Sequence, residues 1–250
     1  MQTIFDRPHA VKYISHRGFQ PLAPENSLPS FEYAGLLGQW AIETDVHVTL
    51  DGQLVCCHDE RVERTFDGEG RIEEMTWAEL SALRMNRGNR LSCLSDEERR
   101  MPLFSEYLAV CRRWGSVPFI ELKTPDAERV LRAVREAGLT DQEVEISAIT
   151  LDFLLETRKV SKEAFIHWIF ADEMRLGELV EAGNAGLSLN IPDPYDCSRE
   201  TVERIHGMGL RLCLRAGDTV QSVARMRELG LDYVPSNCMH MPLRERSVAR

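Results

Sequence analysis

Short strand-like apolar runs alternate with longer amphipathic runs along most of this chain, and no other feature of the sequence restricts its fold as much. Runs of strand type fall at 13–16, 42–46, 119–122, 144–148, 165–169, 186–190, 211–214 and 233–235. Helical patterns separate most of them, at 28–37, 103–114, 127–137, 151–160, 173–182, 199–208 and 220–229, several stopping at a glycine such as Gly38, Gly138, Gly183 or Gly230. Strands joined through helices run parallel, and about eight such units close into a ring. The expected class is therefore α/β, a TIM (β/α)8 barrel. At 250 residues the chain has an ordinary length for one such domain spanning residues 1–250.

The balance of charge narrows the partners. A formal net charge of −10 argues against nucleic acid or an anionic membrane as a bulk partner, because both reward a basic surface. A phosphate-bearing small molecule would have to be attracted locally, by Arg17, Lys123 and a bound cation. No apolar run approaches membrane-spanning length, so no stable membrane insertion is expected, and the segment 1–12 contains Asp6 and Pro8 but no apolar leader. Seven cysteines, without zinc-type pairs, read as small buried hydrophobes in a reducing compartment. The expected location is cytoplasmic.

Polar clusters stand where the strand-like runs end: His16-Arg17-Gly18, Glu43-Thr44-Asp45, His58-Asp59 and Glu121-Leu122-Lys123. Residues i and i+2 of a strand share a face, so Glu43 and Asp45 can meet one ion while Ile42 and Val46 pack behind them. Glu121 and Lys123 repeat that geometry. Three carboxylates, two histidines and a lysine suit one hard cation and one phosphate, which points to metal-assisted phosphodiester hydrolysis. Asp51-Gly52 signals a hairpin, and counting outward from it pairs Leu50 with Gln53 and Asp45 with His58. His47 shares the Glu43–Asp45 face but is expected at the rim or in solvent. His9, His167, His206 and His240 read as surface or core residues. Residues 61–101 read as a small insertion over the barrel mouth, with a capped helix start at Thr76-Trp77-Ala78-Glu79 and a mobile polar second half from Arg84 to Arg100. Pro24-Glu25-Asn26-Ser27 reads first as the start of the next helix, with Asn26 or Ser27 as its cap.

Taken in order, His16-Arg17-Gly18, Pro24-Glu25-Asn26-Ser27, Glu43-Thr44-Asp45-Val46, Thr49-Leu50-Asp51-Gly52, His58-Asp59, Arg64-Thr65 and Glu121-Leu122-Lys123 resemble the glycerophosphodiester phosphodiesterase family. The resemblance implies a TIM barrel with a small insertion after the second-strand hairpin, one divalent cation, and release of sn-glycerol 3-phosphate and an alcohol. It implies Glu43, Asp45 and Glu121 as metal ligands, His16 and His58 as the acid–base pair, and Arg17 and Lys123 as phosphate contacts. Oxygen ligands suit Mg2+ or Ca2+, with Mn2+ as a further candidate. Water and the substrate's own glycerol hydroxyl both stay open as nucleophile. The downstream half departs from the family, which usually carries a Ser-Phe pair after the fourth strand, a Trp at the end of the seventh and Thr-Asp after the eighth. Here Ala148-Ile149, Leu214-Arg215 and Ser236-Asn237 stand in those places. The expectation is an altered hold on the organic half of the substrate, with Arg215 favouring an anionic phosphodiester over glycerophosphocholine. Two other readings are a lysophospholipase D or sphingomyelinase-like barrel acting on lipid headgroups, and a non-catalytic phosphate-binding barrel.

Overall fold

Each strand-like run of the sequence forms a strand of one sheet in the computed structural model, which describes residues 3–6, 9, 11–215 and 217–240. Of the segment 1–12, on which the expectation of no leader rests, Met1, Gln2, Arg7, Pro8 and Ala10 lie outside the described residues. The strands are β1 (Tyr13–Ser15), β2 (Ala41–Val48), β3 (Leu54–Cys56), β4 (Val117–Leu122), β5 (Glu145–Ala148), β6 (Phe165–Trp168), β7 (Ala185–Ser188), β8 (Arg211–Cys213) and β9 (Val234–Ser236). Their order is β8-β7-β6-β5-β4-β2-β1-β9, all parallel, with β3 antiparallel on β2. The two ends of that path meet at Asp232, whose backbone N–H donates to the Leu212 carbonyl (3.0 Å) and whose carboxylate accepts from Leu212 N (2.8 Å). The result is the near-closed α/β barrel expected.

Helices α1 (Leu28–Leu36), α2 (Trp77–Ala82), α3 (Phe104–Trp114), α4 (Ala127–Glu136), α5 (Leu151–Val160), α6 (Leu176–Ala182), α7 (Arg199–Gly207) and α8 (Val220–Leu229) follow the sequence pattern. The run at 173–182 divides into a 3-10 turn, Glu173–Arg175, and α6, because the Asp172 side chain accepts from Met174 N and tightens the start. Ser27, not Asn26, caps α1: its hydroxyl accepts from Ser30 N while the Ser30 hydroxyl accepts from Ser27 N. Thr76 caps α2 in the same reciprocal way with Glu79.

The strand that carries the carboxylates is held from outside by α3. Ile42, Val46, Ile120 and Leu122 bury their side chains with Phe104, Tyr107 and Leu108 in one core. Tyr107 fixes the register of β2 and β4 directly, donating its hydroxyl to Ile42 O (2.6 Å) and accepting Phe119 N (3.0 Å). Asp45 thereby stands opposite Glu121. Burying four large aliphatic side chains contributes on the order of 6–12 kcal/mol before the entropy of ordering them. The charged ends of these strands rest on that apolar footing.

The hairpin differs from the sequence count by one residue. Val46 pairs with Cys56, His47 with Val55 and Val48 with Leu54, so Cys57 rather than His58 lies opposite Asp45, its N–H donating to Asp45 O (3.1 Å). The connection is a three-residue loop, Leu50-Asp51-Gly52, closed between Thr49 and Gln53, with Gly52 at φ +83°. A left-handed glycine at the third loop position selects that longer connection over the two-residue turn. Residues 61–101 bury Val62, Phe66, Ile72, Leu80, Met85 and Met101 against Val55 and Cys57 of the hairpin. Of the seven cysteines, all free, Cys93 is exposed and Cys238 half-buried, so the buried-hydrophobe reading fits only the other five. Among the described residues no helix is long and apolar enough to cross a membrane.

Candidate active site

The strand register brings the three predicted carboxylates together. Glu43, Asp45 and Glu121 each offer an oxygen, and these atoms all lie within 4.8 Å of one another. Asp45 is fully buried, Glu43 6% exposed and Glu121 9% exposed. Burial and the neighbouring Asp45 and Glu121 charges push the Glu43 carboxyl well above its usual range. Glu121 is likewise raised, by burial and Asp45. Asp45 also suffers burial, but Lys123, His58 and Arg17 outweigh it and hold the group below the usual carboxylate range. Three like charges at this spacing favour a hard cation between them. The donors are oxygen only, and Glu43 Oε1, buried, has no hydrogen-bond partner. The residues present therefore fit a divalent cation such as Mg2+, Ca2+ or Mn2+.

The expected phosphate contacts frame this cluster. Lys123 Nζ lies 3.0 Å from Asp45 Oδ1 and donates to Glu121 Oε1. Arg17 Nε lies 3.6 Å from Asp45 Oδ2, and Arg17 N–H donates to Glu43 Oε2 (2.6 Å). That backbone contact depends on a sharp turn after β1, in which Arg17 takes φ +56° and Gly18 φ +81°. A Cβ on Gly18 would stand 2.2 Å from Ser30 Oγ, so the third residue of the His-Arg-Gly cluster is fixed by the close approach of α1.

With Ser27 serving as the cap, Asn26, the other candidate, enters the site. At φ +48° it donates from Nδ2 to Asp45 Oδ2 (2.8 Å) and accepts from Thr44 Oγ1 (2.8 Å), fixing the central carboxylate. Glu25 accepts from Arg17 Nη1 (3.0 Å) and from Arg64 Nη2 (2.7 Å). Arg64 also donates to Asp59, and Asp59 Oδ1 receives His58 Nδ1 (2.5 Å). Burial pushes the Asp59 carboxyl up, but Arg64 and His58 outweigh it and bring it down to about 2. A chain of charges thus runs from the insertion to both sides of the site. Sequence reasoning missed these roles; the only signal was that Glu25, Asp59 and Arg64 sit inside the recurring motifs.

The two histidines are backed differently. His16 Nδ1 lies 2.8 Å from Asn237 Oδ1, which also accepts from Gln20 Nε2 (2.9 Å), while Asn237 Nδ2 donates to Asp218 Oδ2 (2.6 Å). The amide orientation is thereby set, an amide oxygen can only accept, and His16 must carry its proton on Nδ1. Its Nε2 is left as the basic nitrogen. Burial and the Arg17 charge hold His16 below the ordinary imidazole range, against the Asn237 contact. Behind His58 stands a carboxylate; behind His16, an amide. Asn237, expected to border the organic half of the substrate, lines the cavity and also contacts His16, since it sits at the end of β9 next to the β1 end that carries His16.

His47 is buried rather than at a solvent rim, with Nε2 3.4 Å from His58 O, and it stands outside the carboxylate cluster. His167 is buried against the Tyr233 hydroxyl, and His206 pairs with Asp232 on the surface. One cavity of about 470 Å3 joins His16, Arg17, Glu43, His58 and Glu121 to Arg215 at its rim.

The chain matches the model of the glycerophosphoryl diester phosphodiesterase family over residues 16–239. It is 28% identical over 231 residues, 88% of its own length and 91% of the other, to a glycerophosphodiester phosphodiesterase of Caldanaerobacter subterraneus subsp. tengcongensis. It is 34% identical over 113 residues, 45% of its length and 34% of the other, to mouse glycerophosphodiester phosphodiesterase 1. Among solved structures, an Oleispira antarctica phosphodiesterase in complex with the product sn-glycerol-3-phosphate superposes with a TM-score of 0.81 at 24% identity, covering 90% of this chain and 92% of that one. A glycerophosphodiester phosphodiesterase from Agrobacterium tumefaciens superposes with a TM-score of 0.74 at 22% identity, covering 91% and 97%. At those identities the superpositions establish the barrel fold.

Proposed function

The chain belongs to the glycerophosphoryl diester phosphodiesterase family, and from that premise we propose that it hydrolyses glycerophosphodiesters to sn-glycerol 3-phosphate and an alcohol, with one divalent cation held by Glu43, Asp45 and Glu121. The observation that carries this reading is the cluster of three buried carboxylates flanked by two cationic side chains and two histidines with opposite backing. When bound, the cation would neutralise charge building on the phosphoryl oxygens.

Arg17 and Lys123 supply the remaining positive charge, and both are largely withdrawn from water, where a fixed charge acts more strongly. His16, neutral with a free Nε2, takes a proton from the attacking group: water directly, or the substrate's glycerol hydroxyl, in which case a water then opens the resulting cyclic phosphate to sn-glycerol 3-phosphate. His58, donating from Nδ1 to the Asp59 carboxylate, gives a proton from Nε2 to the leaving alcohol oxygen. Asp59 and Asn237 hold the rings in those tautomers, and Arg64 and Glu25 couple Asp59 to Arg17. We read residues 1–250 as a single domain, with 61–101 as an insertion whose Asn89 Nδ2 donates to Gln20 O (2.8 Å) beside the site. The seven free cysteines support a cytoplasmic location, and the proposed glycerophosphodiester substrate a place in glycerol and lipid metabolism.

The test is the release of sn-glycerol 3-phosphate by His16→Ala and His58→Ala. Loss of general acid–base catalysis costs on the order of a hundred- to ten-thousand-fold in kcat, and each variant should fall in that range while keeping the wild-type circular dichroism. A folded variant with near wild-type kcat removes its histidine from the mechanism.

A further inference from the structure

We propose that the rim of the cavity at Arg215 and Phe170 is a subsite for an anionic group on the alcohol half of the substrate, a carboxylate or a phosphate monoester; this rests on the phosphodiesterase reading above.

Most arginines near the reacting centre are neutralised by the protein itself. Arg17 is paired with Glu25 and Asp45, and Arg64 with Glu25 and Asp59. Arg215 lines the same cavity, is exposed, and among the described residues has no carboxylate partner. Its guanidinium carbon instead lies 5.5 Å from the centroid of the Phe170 ring. Stacking on an aromatic face orients the planar fork but leaves its N–H groups free, which is the state in which a guanidinium can take a planar oxyanion with two hydrogen bonds.

Phe170 gives the independent observation. Its backbone adopts φ +55°, an uncommon region for a bulky residue that carries a conformational cost. Three contacts impose it: Ile169 N–H donates to Ala148 O (2.9 Å), Phe170 N–H to Ser188 Oγ (3.1 Å) and Ala171 N–H to Ser188 O (3.0 Å). A ring held in this conformation, and 39% exposed, is not serving the core. It forms a platform for Arg215 at the cavity rim, with Ile149, 56% exposed, in the same lining. In a chain of net charge −10, one unpaired cation at the rim selects among alcohols by charge.

Matched substrates isolate the effect. Glycerophosphoserine and glycerophosphoethanolamine differ by one carboxylate; glycerophosphoglycerol and its terminal phosphomonoester differ by one phosphate. The expected result is a preference of about ten-fold or more in kcat/KM for the anionic member of at least one pair, carried by KM. The responding pair identifies the group. In Arg215→Ala that ratio should fall to about one, and in Arg215→Lys, which keeps the charge and loses the fork, to an intermediate value. A ratio of one in both pairs, or a ratio unchanged in Arg215→Ala, overturns the subsite even if every substrate is hydrolysed. If no substrate is hydrolysed, the phosphodiesterase reading fails separately. Calorimetric titration of the same pairs then decides the subsite: an Arg215-dependent preference supports it, and equal affinities overturn it.

Discussion

Exchanging the two groups behind His16 should move the pH dependence of the enzyme in a direction and by an amount set by geometry. Asn237 Oδ1 lies 2.8 Å from His16 Nδ1, and Asp218 Oδ2 lies 2.6 Å from Asn237 Nδ2, so the order is imidazole, amide, carboxylate. The double variant Asn237→Asp with Asp218→Asn reverses the last two. It keeps the net charge, the acceptor for Gln20, and an acceptor for Ser236 Oγ and the residue 237 N–H. The carboxylate moves from roughly 8 Å to roughly 4 Å from the ring; at an effective dielectric of about 20, 332/(20 × r) gives about 2 kcal/mol of extra attraction for the imidazolium. At 1.36 kcal/mol per unit, that raises the His16 pKa by about one and a half units. Burial and Arg17, which now hold it low, are unchanged by the exchange. With His16 proposed as the base in its neutral form, a raised pKa protonates it over a wider range, and the acidic limb of kcat/KM should shift to higher pH by about one to two units. The assay is sn-glycerol 3-phosphate release across pH 4–9 for wild type and exchange variant, with melting temperature as a control of folding. An unmoved limb in a folded, active variant would refute the base assignment.

Two further outcomes follow from the same network and from the barrel interior. Asp59→Asn should lower kcat by about ten- to a hundred-fold, less than loss of the His58 ring, with Arg64→Ala giving a smaller fall; wild-type kcat in Asp59→Asn would show that His58 needs no carboxylate behind it. Burial brings the His167 pKa down to about 3 from an ordinary 6.5, so between those values the unfolded chain takes up a proton that the folded one does not. His167 therefore costs nothing above pH 6.5 and lowers stability by about 1.4 kcal/mol per unit as pH falls through that window. Urea denaturation from pH 7 to pH 4.5 should show a flatter loss in His167→Asn than in wild type, and parallel curves would contradict the buried neutral ring.

The barrel was legible because its period is written in most units: apolar strand, helix and, in several, a closing glycine, repeated until the sheet has to curl. Glu43, Asp45, Glu121 and Lys123 were legible for a related reason, since i and i+2 share a face and two such pairs on neighbouring strands have one place to meet. The hairpin register was not, because Asp-Gly fits both a two- and a three-residue loop, and one residue of difference moves Asp45 from His58 to Cys57. The contact of Asn237 with His16 was not legible, because position along a strand gives depth in the barrel but not which neighbour a side chain touches. Arg64 reaches Glu25 across 39 residues, and nothing local in the chain marks that contact. His47 shares parity with Asp45, yet it is buried with its ring nitrogen near the His58 carbonyl, a tertiary contact that periodicity does not carry.

Turnover is expected to depend on a cation held by the three buried carboxylates Glu43, Asp45 and Glu121. That dependence is tested most directly by following sn-glycerol 3-phosphate release from glycerophosphoethanolamine by chelated protein, before and after adding Mg2+, Ca2+ or Mn2+, for wild type and Asp45→Asn. The expected results are no turnover after chelation, recovery of the wild type with at least one of these ions, and little recovery of Asp45→Asn at the same concentration. Full turnover of the wild type in excess chelator would contradict that dependence.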